Sequence, residues 1–282
     1  MRVILSTGLA PPLTPWTWVP AVAALLVYLG AALPSAEPAG AGPDPGRLRW
    51  ALAVAWVAHG TALLAHLLGV GEVDPGARFG FAPALSATAW LVVAVYAIES
   101  RFVPLAGVRR GLAVLGMVTI VLMLLFPGEA HLHPTAPWAP LHWLIGIASY
   151  GLFGAAVLHA HLLNRAERAL RPGNGNVAPA RPGLPLLKLE ALTFRFVSAG
   201  FLALTAAIVL GALVSGPWRW DHKTVFSLLA WAVFAGLVLG RRTFGWRGRQ
   251  ATRWLYAGSL LLLLAYVGTR FVFEVLLQRA PA

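Results

Sequence analysis

The stretch LHWLIGIASYGLFGAAVLHAHLL, residues 141–163, contains no Asp, Glu, Lys or Arg, and NRAERALR, residues 164–171, follows it with three arginines. An apolar run of about 20 residues is long enough to cross a bilayer core, where only a structure that satisfies its own backbone survives. The arginines mark the side on which the run stops. Outward from this stretch the pattern recurs in both directions. The expected spans are Trp16–Leu33, Leu48–Leu68, Pro83–Ile98, Val108–Phe126, Leu141–Leu163, Thr193–Val214, Thr224–Leu239 and Thr252–Leu276. The third and seventh of these are short.

Sixteen of the 22 Lys and Arg fall on every second connection, the ones after spans one, three, five and seven. The opposite side holds Arg2, Arg78, Arg219, Lys223, Arg270 and Arg279. Cytoplasmic loops carry the Lys/Arg excess, so both termini are expected outside. The fold class is therefore all-α: a multi-pass transmembrane helical bundle of about eight spans, both termini periplasmic. Residues 1–282 read as a single transmembrane domain with flexible connections at 34–46 and 172–185, both rich in Pro, Gly and Ala. LPSA at the end of span one resembles a signal-peptide cleavage site, but export would place Arg47 and Arg49 outside, against the charge rule. Pro185–Arg195 reads either as an amphipathic lead-in to span six or as a plain extension of it.

At 59% hydrophobic and 11% charged, the chain leaves little for a soluble domain. The net charge of +12 does not indicate nucleic acid, because it sits in short loops beside spans, where it sets topology and meets anionic lipid. There is no cysteine, which excludes thiol–disulfide chemistry and a c-type haem attachment site within the chain. No catalytic triad, carboxylate pair, phosphate loop or zinc motif is present, so independent catalysis is not expected.

The eight histidines are the most chemical feature. His66, His131, His133, His142 and His222 gather at the outer rim; His159 and His161 lie at the cytoplasmic end of span five. His59 is near mid-membrane, where a polar group is either functional or bonded across helices. Imidazole ligates haem iron, and two from different helices can clamp one porphyrin. GPWRWDHKT, Gly216 to Thr224, places Trp218, Trp220, Asp221 and His222 at one helix mouth. Two readings stand: an aromatic belt with Asp221 as helix cap, or ring faces for a porphyrin with Asp221 orienting an imidazole. The arginines of GRRTFGWRGRQATRW, Gly240 to Trp254, satisfy the charge rule and also suit lipid headgroups or a partner.

With these residues in place, the chain resembles the cytochrome c assembly protein family, in its CcsA/HemX/YpjD-like branch. PWRWDHKTVFSLLAW resembles the family's tryptophan-rich signature, with Trp218, Trp220, Asp221, Lys223 and Trp231 on its positions. GWRGRQA, AYVGTR, PLHWLIGIASYGLF and HGTALLAHLL follow the family in order, placing His142 and His59 on its histidines. The first signature tryptophan is missing, and His222 stands where proline is usual. The resemblance implies an all-helical membrane bundle that binds or delivers haem for cytochrome c assembly. It implies a bacterial inner membrane as the location and haem b as cofactor; His142 and His222, which open odd-numbered spans at the same membrane level, are the residues expected at the iron, with Trp218, Trp220, Asp221 and His59 around it. Arg219 and Lys223 stand nearby as propionate partners. Implied partners are membrane lipid, other assembly components and apocytochrome c. A HemX-type regulatory scaffold without haem is the alternative, and a transporter of another substrate the third.

Overall fold

The computed structural model describes residues 14–33, 45–72, 77–99, 108–131, 138–169, 186–214 and 220–277. Eight helices in it are long and apolar enough to cross a membrane. These are α1 (Pro15–Ala32), α2 (Pro45–Leu67), α3 (Phe81–Glu99), α4 (Val108–Leu125), α5 (Ala139–Ala169), α6 (Leu186–Val214), α7 (His222–Phe244) and α8 (Gly248–Leu263). The last span continues beyond α8 to Leu276 through two π-helical stretches, Leu264–Gly268 and Val272–Leu276. Large apolar side chains such as Leu26, Val57, Leu202, Val209 and Leu260 are exposed on the outside of the bundle. A water-facing surface would not carry so many, but hydrocarbon solvates them.

The buried residues form two cores. One joins α1 to α4 around Tyr28, Leu52, Val93, Ile120 and Met123. The other joins α5 to α8 around Phe153, Val197, Phe234, Leu237 and Leu255. Small residues let the backbones approach, as expected where lipid gives no hydrophobic drive between helices. Gly116 is one such point: a Cβ there would lie 2.8 Å from the Tyr28 ring. Between α2 and α3, Trp56 and Trp90 stack with centroids 4.7 Å apart, and each indole N–H donates to the other's backbone carbonyl.

A small element not foreseen from the sequence closes one end of the bundle. Strands β1 (Ala77–Phe79) and β2 (Glu129–His131) pair antiparallel, with Arg78 opposite Ala130. They tie the connection before α3 to the one after α4. The other end carries Arg241 and Arg242 and is called the arginine-rich end below.

Several expected boundaries shift. The seventh span is not short: α7 runs to Phe244 and ends at Gly245 in the left-handed conformation, φ 65°. Within its last turns Arg241 pairs with Glu190 of α6, Nη1 to Oε1 2.5 Å, over the Phe194 ring. Pro185–Arg195 resolves toward the plain extension, since Leu186 already opens α6. Pro45 and Gly46 belong to α2 rather than to a flexible connection. Residues 34–44 and 172–185 lie outside the described residues.

Candidate functional site

At the β-pair end, α3, α5, α6, α7 and the last span surround a cavity of about 320 Å³. His142, in the first turn of α5, lines it. The imidazole Nδ1 donates to the Ala207 carbonyl of α6 at 2.9 Å, which leaves the lone pair on Nε2. Gly211, one turn further along α6, makes room for the ring: a Cβ there would lie 2.8 Å from His142 Cε1. Beside His142, Trp143 packs on Phe79 of β1 with centroids 4.6 Å apart, and both rings line the cavity.

From α7 come Asp221, Lys223, Thr224, Ser227 and Leu228. Asp221 caps the helix, its carboxylate accepting the Thr224 N–H at 2.7 Å. The cap is one of the two roles open for Asp221, and the hydrogen bond to Thr224 serves it. Lys223 stands at the mouth, 5.9 Å from the Tyr266 ring centroid, with no ion pair among the described residues.

The last span contributes Leu262, Tyr266 and Arg270. Its first π-helical stretch has a visible cause. The Tyr150 hydroxyl of α5 donates to the Leu262 carbonyl and also bonds the Tyr266 backbone. A side chain inserted into the i→i+4 ladder opens it, and the π geometry takes up the slack. Arg270 lies 3.4 Å from Glu129 of β2 and 3.7 Å from Glu274 one turn on, with its guanidinium over the Tyr266 ring. Glu274 also accepts the Phe81 N–H at the start of α3, at 3.4 Å.

The other expected site residues lie elsewhere. His222 opens α7 with an exposed side chain and is not among the lining residues, so it does not converge with His142 on this cavity. Trp220 is 73% exposed and also off the lining. Helix periodicity explains the divergence: His222 and Lys223 are adjacent, and neighbouring residues point about 100° apart. Trp218 and Arg219 lie outside the described residues. His59 is fully buried in the first core, bonded to the Tyr28 hydroxyl at 3.4 Å and to Ser86 at 2.8 Å. It is the interhelical bond, joining α1, α2 and α3. Trp231 donates to Thr205 of α6 at 2.9 Å and packs on Phe201, also off the cavity.

Two further histidines are bonded. His66 meets the Pro127 carbonyl at 2.7 Å. His159 donates from Nδ1 to the Ala155 carbonyl and sets Nε2 2.7 Å from Glu99 at the end of α3. Among the described residues, no group of three or more His, Asp or Glu side chains is arranged to hold a bare metal ion. Of the histidines described, His142 is the one that lines the cavity, and its free Nε2 could ligate a metal-bearing cofactor there.

Phe79, Trp143, Tyr150, Tyr266 and Arg270 also line the cavity and are not among the site residues expected from the sequence. Arg270 carried a signal: an arginine within the last apolar run, one turn before Glu274, is costly in a membrane unless it faces a cavity or a partner. Trp143 and Tyr150 stood inside the quoted PLHWLIGIASYGLF stretch without being singled out.

The chain matches the family model described as "Cytochrome C assembly protein" over residues 77–277, more than two thirds of its length. It is similar to an "Uncharacterized 28.8 kDa protein in nifR3-like 5'region" of Azospirillum brasilense, 34% identical over 149 residues, which cover 50% of this chain and 53% of that protein. It is also similar to the "Cytochrome c biogenesis protein CcsA" of Prochlorococcus marinus (strain NATL1A), 31% identical over 90 residues, covering 30% of this chain and 29% of the relative. The protein of the same description from Synechococcus sp. (strain CC9311) is 27% identical over 165 residues, 48% and 54% of the two chains. The matches thus span about half or less of these relatives. No solved structure matches the chain.

Proposed function

This chain belongs to the cytochrome c assembly protein family, and from that premise we propose that it is a haem-handling factor of cytochrome c biogenesis, without an independent catalytic activity. Haem b would be held in the cavity at the β-pair end, with His142 as the residue that would ligate its iron. The observation that carries this reading is the state of His142. A donated Nδ1–H fixes the tautomer and presents Nε2 as a base, a pattern typical of metal-ligating histidines. The cavity wall supplies aromatic faces at Phe79 and Trp143 and cations at Lys223 and Arg270. These are the chemical complements of a porphyrin's ring and carboxylates.

Haem would supply the group that is attached to an apocytochrome; the chain itself binds and orients it. With no cysteine, this chain forms no covalent haem bond of its own. Charge asymmetry supports placing the cavity on the periplasmic side of a bacterial inner membrane and the arginine-rich end in the cytoplasm, both termini outside. Apocytochrome c and other assembly components would meet the β-pair end, and lipid surrounds the spans.

His222 could add a second bond only if the start of α7 turned, so ligation by one protein histidine is expected, and binding of modest strength. The test is the absorption spectrum of the detergent-purified protein, alone and with added haem. A Soret band that saturates with haem supports the reading. Protein that never takes up haem favours the HemX-type scaffold, and a partner retained on purification would identify it.

A further inference from the structure

Two cations at the cavity mouth are held less tightly than Arg78 and Arg241. Arg78 meets Glu72 at 2.6 Å and Arg241 meets Glu190 at 2.5 Å, both closed charge-assisted bonds. Arg270 is shared more loosely. Its Nη1 stands 3.4 Å from Glu129 and 3.7 Å from Glu274, beyond the roughly 2.7–2.9 Å of such bonds. Lys223 has no carboxylate in ion-pair contact among the described residues, and its ammonium lies near the same Tyr266 ring as Arg270. Both cations line the cavity.

The two glutamates are also unequal. Glu274 is 10% exposed and is bonded to the backbone at the start of α3. Glu129 is 39% exposed and sits on a three-residue strand. It is the easier of the two to displace.

We propose that Lys223 and Arg270 form a carboxylate-binding pair for the ligand of this cavity, and that Glu129 is an internal stand-in which a ligand carboxylate displaces from Arg270. Glu274 keeps Arg270 in place during the exchange. The pair makes the site selective for a macrocycle bearing free carboxylates over the same macrocycle without them. The inference rests on the haem reading given above and adds to it the residues that read the anionic edge.

The test titrates the full chain in detergent with haemin and with haemin dimethyl ester, which has the same iron and ring but no free carboxylate. Soret absorbance and quenching of tryptophan fluorescence give two independent binding readouts. Losing a hydrogen-bonded charge contact predicts that the wild type binds the ester at least about tenfold more weakly than haemin. Lys223→Gln and Arg270→Gln should each shrink that preference severalfold. Glu129→Gln should tighten haemin binding and leave ester binding unchanged. If Arg270→Gln fails to fold, the Lys223 and Glu129 variants decide. Equal binding of haemin and ester by the wild type overturns the proposal, as does a preference unchanged by both cation substitutions; the haem reading survives either result. Uptake of neither compound removes the haem reading, and this inference with it.

Discussion

Gly211 and His142 fit together: a methyl group on Gly211 would approach the imidazole Cε1 to 2.8 Å, closer than side chains tolerate. The hydrogen bond from His142 to Ala207, one turn away on the same helix, holds the ring in that notch. The position of the imidazole is thus set by a glycine that carries no chemistry.

Gly211→Ala should therefore act like a mild His142 substitution. It must push the ring out of the notch or part α5 from α6. Haem affinity should fall by about tenfold, the consequence of a displaced ligand contact of about 1.4 kcal/mol. Absorbance titration reads the affinity, and a thermal melt shows that the bundle still folds.

His59 should behave in the opposite way. It is bonded to Tyr28 and Ser86 in the first core, away from the cavity lining. His59→Ala leaves buried partners unsatisfied and should destabilise the protein by about 1–3 kcal/mol. Its haem titration should match the wild type at temperatures where it stays folded. A lost Soret band with an unchanged melt would assign His59 to haem instead.

Tyr150→Phe removes the hydroxyl that bonds the backbone of the last span at Leu262 and Tyr266. The i→i+4 ladder can then close, which turns the residues beyond it and re-aims Arg270. Hydrogen exchange of the amides from 262 to 270 should slow. The preference for free carboxylates should weaken with it, although Tyr150 itself bears no charge.

At the other end, Glu190 receives Arg241 at 2.5 Å and Arg247 at 3.7 Å. Glu190→Gln strands a partly buried arginine between α6 and α7. A stability loss of about 1–3 kcal/mol is expected, with haem affinity unchanged, because the pair lies at the end remote from the cavity. A thermal melt and the haem titration together check both halves.

The eight spans were legible because a bilayer imposes one rule on every apolar run, and length with composition then suffices. Span ends were less legible. Arg241, expected beyond the seventh span, lies inside α7 and is met there by Glu190, 51 residues away in sequence. The β pair was not legible at all: Ala77–Phe79 and Glu129–His131 are three residues each, too short for any periodicity. At the site, His142, Asp221 and Lys223 were visible in the sequence, as was the capping role of Asp221. The partnership expected between His142 and His222 rested on their common membrane level. Level says nothing about azimuth, and azimuth sends Lys223, not His222, to the cavity. The role of Tyr150 was out of reach, since its partner carbonyl is 112 residues away.

Reporter fusions test the orientation. Fusions after Arg168 and after Arg249 should report cytoplasm, and a fusion at the C-terminus should report the periplasm. A cytoplasmic C-terminus would invert the placement of the cavity.

The most direct measurement is the Soret band of the purified wild-type protein titrated with haem beside His142→Ala. A saturable band is expected in the wild type, with affinity at least about tenfold lower in His142→Ala and close to wild type in His222→Ala. A wild type that takes up no haem, or a band that His142→Ala leaves unchanged, would contradict it.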